Sequence, residues 1–308
     1  MRRWALCMLL LAASSASRAQ TVDELKREIE KRDEIIRELS RRLEVRDQGA
    51  RPEDEELSRA LERTLVQQGL LLLPARSYEG QPQVSYAYWD KDRSPLRHQS
   101  EFALGGRAGL PWQMQLQVRA AYVHVATDSG SATALGDSDI ALSQQLWREE
   151  GYRPGVFATV GWTSYTGRDA FQGQIATGGG FNVPQVGLTA VKKHDPLVYY
   201  LGLSYADPRA RQVEGIRIDP GSTTSVRFGG VLAAAPDTSI SIGLNLGFLG
   251  NTRLDGQPVP GTDSVLGTLQ LGIGTILTRS VMLSLGGDLR VSGNVPNFRL
   301  TLALPILF

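Results

Sequence analysis

From residue 297 to 308 the chain alternates strictly. Phe298, Leu300, Leu302, Leu304, Ile306 and Phe308 fall on one face of an extended strand, and Asn297, Arg299, Thr301 and Ala303 on the other. Because side chains of a strand turn to opposite faces at every residue, this segment has one wholly apolar face and one mixed face. A soluble sandwich buries such an apolar face in a core, whereas a barrel in lipid turns it outward and keeps the polar face for its lumen. The rest of the chain decides between the two.

The opposite end reads as an export signal over residues 1–19. Arg2 and Arg3 give a positive start, residues 4–13 form a short apolar run, and Ser17-Arg18-Ala19 is a cleavage site of small residues. The single cysteine, Cys7, lies inside that run. A processed chain would then hold no thiol, which excludes disulfides and thiolate metal sites. No later stretch is long and apolar enough for a membrane-crossing helix, so a membrane-embedded form has to be a closed barrel. Charge adds little bias: 33 basic residues, less Arg2, Arg3 and Arg18, leave 30 against 32 acidic ones. That near-neutral balance, without a basic cluster, argues against nucleic acid as a partner.

Composition divides the exported part. Residues 20–64 hold 11 Lys or Arg and 14 Asp or Glu, while the five-fold longer remainder holds only 19 and 18. Within 20–48, Val22, Leu25, Ile29, Ile36, Leu39 and Leu43 occupy the a and d positions of a heptad, with Arg32 the one polar d residue; this predicts a coiled coil. Four heptads make a helix of about 40 Å, marginal alone, so self-association is expected. Residues 49–74 form a linker: Gly49 and Pro52 interrupt the first helix, acids at 53–56 suit the start of a second, and Leu57, Leu61 and Leu65 line one stripe of it. Gly69 ends that helix, and the apolar segment 70–74 leads into the first strand.

Residues 75–308 read as an all-β transmembrane barrel of about twelve antiparallel strands. Connections alternate in length, except the last, at 292–294, which is short where a long one is expected. Those at 110–112, 148–154, 192–196, 234–238 and 277–279 are short, and those at 90–99, 124–138, 166–180, 207–221 and 250–263 are long. Bacterial barrels place short turns in the periplasm and long loops outside, and an even strand number returns both ends to one side. The N-terminal helices are therefore expected in the periplasm. The faces opposite the apolar rows carry Glu101, Arg107, Arg119, Arg227, Asp288, Arg290 and Arg299 among many Gln, Ser and Thr residues, which makes them the expected channel lining. Arg119, Arg227, Arg290 and Arg299 outnumber the acids and would form a mild anion-attracting ring unless Asp288 and Glu101 pair with them.

Catalytic and metal chemistry find little support. His98 and His124 fall near the outer ends of strands two and three with Ser100 close by, but no carboxylate or motif organises them as base and nucleophile. The chain's 3 histidines show no ligand spacing, so no metal or cofactor is implied. Asp90, Asp92, Asp137 and Asp139 read as solvated carboxylates near loop ends.

The order of signal, short coiled coil, linker helix and twelve-stranded barrel resembles the Fap-type outer-membrane channels that export functional-amyloid subunits. The resemblance is carried by the helix-to-strand segment LERTLVQQGLLLLP at 61–74, by Gly136-Asp137 before strand four and by the turn at Asp195-Pro196. It extends to a wider group of outer-membrane barrels described as phenol meta-pathway transporters. The resemblance implies that the coiled coil forms a homotrimer and collects or gates cargo. It also implies that the second helix plugs the pore through Leu57, Leu61 and Leu65, and that the cargo is an unfolded amyloid subunit. Phe308 would be the terminal aromatic that the barrel-assembly machinery recognises. The alternative is a diffusion pore for small, partly apolar solutes in the same outer membrane.

Overall fold

The computed structural model describes residues 61–308 apart from 67, 91–94 and 171–173. The expected signal peptide, the coiled coil with its six core residues, and Leu57 lie outside the described residues.

Twelve strands form the barrel, the number the alternation predicts. They are β1 (Tyr78–Tyr88), β2 (Leu96–Leu110), β3 (Met114–Thr127), β4 (Ser138–Trp147), β5 (Gly155–Ser164), β6 (Val183–His194), β7 (Leu197–Ala206), β8 (Thr223–Ala235), β9 (Thr238–Leu249), β10 (Ser264–Ile276), β11 (Met282–Ser292) and β12 (Phe298–Ala303, resumed at Ile306–Leu307). Each pairs antiparallel with the next, and β12 pairs back onto β1 from Gln83↔Ala303 to Tyr88↔Phe298, which closes the cylinder. Closure leaves no sheet edge and satisfies the backbone within the strands, the condition for crossing lipid without helices. At about 3.3 Å per residue and a tilt near 40°, some ten residues cross an apolar band of roughly 25 Å. All twelve strands reach or approach that length.

The outward row of every strand is apolar and uncovered. Leu104, Leu201, Ile242 and Leu300 are each more than half exposed, as are Val84 and Val186. Contiguous apolar surface on this scale has no counterpart on a soluble monomer and excludes the sandwich reading. Aromatic residues gather at both ends of the band. Tyr86, Tyr88, His98 and Phe298 pack with ring centroids 5.5–6.0 Å apart, and Tyr78, Trp112, Trp147 and Tyr152 stand exposed at the other end. Such belts sit where lipid meets water.

One end of the cylinder is built from the short connections and is called the turn end; the other is the loop end. The chain enters β1 at the turn end and returns there, with Phe308 N–H donating to Tyr78 O at 2.8 Å. The loop end departs from the sequence expectation of plain loops. Residues Gly130–Leu135 add a strand to the outer half of β3. Segments Arg211–Val213, Ile216–Asp219, Arg253–Leu254 and Gln257–Pro258 form a separate four-stranded sheet that joins two loops. Its hairpins turn at Glu214-Gly215 and Asp255-Gly256, all four residues at positive φ, the conformation that two-residue hairpin loops require.

Candidate channel lumen and its two ends

At the turn end a short helix packs against the inner wall. Residues 61–66 are helical, and Leu61, Leu65 and the following Leu70 bury their side chains among Phe157, Val191, Val198, Tyr200, Val231 and Ala233. Those six belong to the inward rows of β5 to β8, where a water-filled barrel would carry polar residues. Burial of a leucine contributes about 1.5–3 kcal/mol, so Leu65 and Leu70, almost inaccessible, favour the docked position by several kcal/mol.

The helix ends where the sequence places its end. Gly69 has φ +71; its N–H donates to Val66 O at 3.0 Å and the Leu70 N–H reaches back to Leu65 O at 2.7 Å. That is the double bond of a Schellman motif, and Leu65 and Leu70 supply its apolar contact within the same cluster. Polar ties fix the helix to the wall. The Thr64 and Ser239 hydroxyls hydrogen-bond each other, Arg63 donates to Thr278 O at 3.4 Å, and Arg107 donates to Val66 O at 2.9 Å. Burial pulls the Arg63 guanidinium below its ordinary pKa, and the Glu79 carboxylate offsets part of the shift. Beyond Gly69 the linker runs along the inner wall of β2 and β3. Leu73 N–H donates to the buried Gln115 Oε1 at 2.9 Å, and Arg76 N–H donates to Gly109 O at 2.9 Å. A Cβ on Gly109 would overlap the Pro74 carbonyl oxygen.

The middle of the lumen is polar, and its charges are unevenly paired. On β1 to β4, Arg107 pairs with Glu79 at 3.3 Å, and Arg119 pairs with Glu101 and with Asp139. Asp139 also accepts from Thr163 Oγ1 at 2.6 Å. On β8 to β12 the expected lining residues Arg227, Arg290 and Arg299 meet one acid, Asp288, which is the register partner of Arg299 and accepts from Gln270 at 3.3 Å. Arg227 lies over the Tyr200 ring at 5.4 Å, and Arg290 Nη1 is buried without a hydrogen-bond partner. Glu101 thus offsets Arg119 and Asp288 stands opposite Arg299, while Arg227 and Arg290 form no ion pair among the described residues. Some lumenal glycines hold neighbouring side chains rather than open space: the Tyr200 hydroxyl sits over Gly229 and Gly243, and Gln185 covers Gly161.

The loop end is narrowed by the segment between β5 and β6. Ile175 packs against the inward-facing Ala103, Ala121, Val123 and Val125. Asp137 holds that segment: its carboxylate accepts the backbone N–H groups of Thr166 (3.3 Å), Gly167 (3.1 Å) and Gly179 (2.6 Å). Thr177 adds a bond to Leu135 O at 2.8 Å. Asp137 and Asp139 are therefore structural, which corrects their reading as solvated carboxylates.

His98 and Ser100 face outward on β2. His98 Nδ1 bonds the Tyr86 hydroxyl at 2.6 Å and His124 Nδ1 bonds Thr133 Oγ1 at 2.7 Å; neither ring pairs with a carboxylate among the described residues. Sequence reasoning missed the inward apolar patches. A signal existed in the loss of alternation near the short turns, as in Val198 beside Tyr199 and Val231 beside Leu232.

Among solved structures the chain is similar to the COG4313 outer-membrane channel from Pseudomonas putida F1, at 17% identity and a TM-score of 0.64, covering 77% of this chain and 97% of that one. Weaker likeness extends to the NanC porin (10% identity, TM-score 0.48, 74% and 98%) and the KdgM porin (9%, 0.42, 75% and 99%). No family model and no curated protein matches the chain. The closed register, the lipid-facing rows and the likeness to the first of these structures define a twelve-stranded outer-membrane β-barrel fold.

Proposed function

We propose that this barrel is an outer-membrane channel for small polar solutes, with the helix around Leu61 and Leu65 as a removable seal at its periplasmic end. The carrying observation is the burial of Leu61, Leu65 and Leu70 against the inner wall below polar cavities of 190 and 400 Å³. The larger falls within the range of small-molecule sites, about 300–1,000 Å³. Short turns mark the periplasmic side by the usual convention; on this reading the expected coiled coil would lie in the periplasm, where trimerisation would couple the seals of three barrels.

Export of an unfolded polypeptide is the second reading, and one feature favours it. A single helix, about 10–12 Å wide with its side chains, occupies the turn end, so an extended chain would fit once that helix leaves. Against it, Ile175 and the Asp137-bound segment narrow the loop end. The amyloid identity of such a cargo rests on resemblance alone.

Liposome swelling separates the readings. Full chain carrying Leu65→Asp places a charge in an apolar cluster and should admit neutral sugars faster than the unmodified chain. Equal swelling would remove the seal from this account. Uptake of an unfolded polypeptide at a rate matching the sugars would favour export.

A further inference from the structure

We propose that the lumen selects small, singly charged organic anions, carboxylates above all, at Arg227. The inference rests on the lumen being a solute path. The two cavities above the helix share Arg227 and Gln270 among their lining residues, so a solute moving between them passes this arginine. Among the described residues lining the 400 Å³ cavity, Arg227 is the one charged side chain. Around it stand Thr159, Gln185, Thr189, Ser204, Ser225 and Asn245, all neutral and all able to donate and accept hydrogen bonds.

The charge of Arg227 is not spent inside the protein. Arg107 and Arg119 have acidic partners, whereas Arg227 forms no ion pair among the described residues and contacts the Tyr200 ring at 5.4 Å. The one acid of this wall, Asp288, is tied to Gln270 and set opposite Arg299. A second uncompensated cation lies in the same row of paired residues, which runs Arg227, Asn245, Thr268, Arg290.

A guanidinium presents a planar fork that matches a carboxylate in two parallel bonds. The surrounding hydroxyls and amides suit the hydroxyl groups of a polar solute body. In the 400 Å³ cavity a cation meets Arg227 with no acid among the described lining residues to relieve the repulsion, and Asp288, which lines the smaller cavity, is already engaged by Gln270 and set opposite Arg299; low-dielectric walls sharpen that discrimination. One unpaired arginine at the neck fits one charge on the solute.

Saturation-transfer NMR on the full chain in detergent micelles tests this with three probes of similar size: gluconate, glucose and N-methylglucamine. Gluconate should give the strongest transfer. Arg227→Gln should weaken its binding roughly tenfold, the worth of one charge-assisted hydrogen bond, and Arg227→Lys should keep the preference over N-methylglucamine. Arg209→Gln, at an exposed residue paired with Asp207 at 3.7 Å, should change nothing. Gluconate bound no better than glucose, or undiminished in Arg227→Gln, overturns the proposal. Arg227-dependent gluconate binding by a chain that carries no current in planar bilayers upholds the anion site and overturns its role in selecting permeating solutes, together with the channel reading. Currents carried equally by gluconate and N-methylglucamine overturn it while the channel reading stands.

Discussion

The Thr64 hydroxyl on the N-terminal helix and the Ser239 hydroxyl on the inner row of β9 hydrogen-bond each other across 175 residues of sequence, and both side chains are buried. With Thr64 gone, Ser239 keeps only a long bond to Gly274 O at 3.5 Å. A buried polar group left without its partner costs about 1–3 kcal/mol, whereas removing both partners is nearly neutral. Thr64→Val should therefore loosen the docked helix and raise open probability in single-channel records by roughly tenfold or more. Adding Ser239→Ala should bring it back toward the unmodified value. An open probability unchanged by Thr64→Val would show that this bond does not hold the seal.

Asp137 governs the opposite end. Its carboxylate gathers three backbone N–H groups of the segment between β5 and β6, and a Cβ on Gly178 would overlap that carboxylate. Asp137→Ala and Gly178→Ala should each release the segment, by loss of the acceptor and by a clash with it. Limited trypsin digestion of reconstituted barrels should then cut after Arg168 several times faster in both variants, with β-sheet content unchanged. Protection equal to the unmodified chain would contradict the latch.

Gly109 tests the linker. Its inner face lies against the Pro74 carbonyl, and its backbone bonds Arg76 and Ser77. Gly109→Ala should push the linker off the wall of β2 and so weaken docking of Leu70 without touching the helix. The expected result is a conductance increase smaller than that of Leu65→Asp. No increase at all would place the linker outside the closing mechanism.

The barrel was legible in the sequence because lipid imposes one rule on every strand. Ile240, Ile242, Leu244, Leu246 and Phe248 must all face outward, and period-two alternation shows it directly. The expected lining charges were read from the other half of the same alternation. What covers the lumen was not. Val198 and Val231 are inward and apolar because Leu61 and Leu65 lie on them, and a strand apolar on both faces carries no mark of which partner covers it. Ile175 is one apolar side chain in a glycine-rich loop, and its partners on β3 are some fifty residues earlier. The hairpin at Asp255-Gly256 had a readable turn signal, but the flanking pairs are two residues long and gave no alternation to extend it.

The central claim is that the helix at 61–66 is a seal that leaves and returns. Thr64→Cys combined with Ser239→Cys tests it directly, since the two hydroxyls already touch and Cys7 is the sole native cysteine. In planar bilayers the oxidised double variant should pass little current at any voltage, and reduction with dithiothreitol should restore the openings of the unmodified chain. Equal currents before and after reduction, with the disulfide verified by mass, would show that solutes pass with the helix in place and would contradict the account.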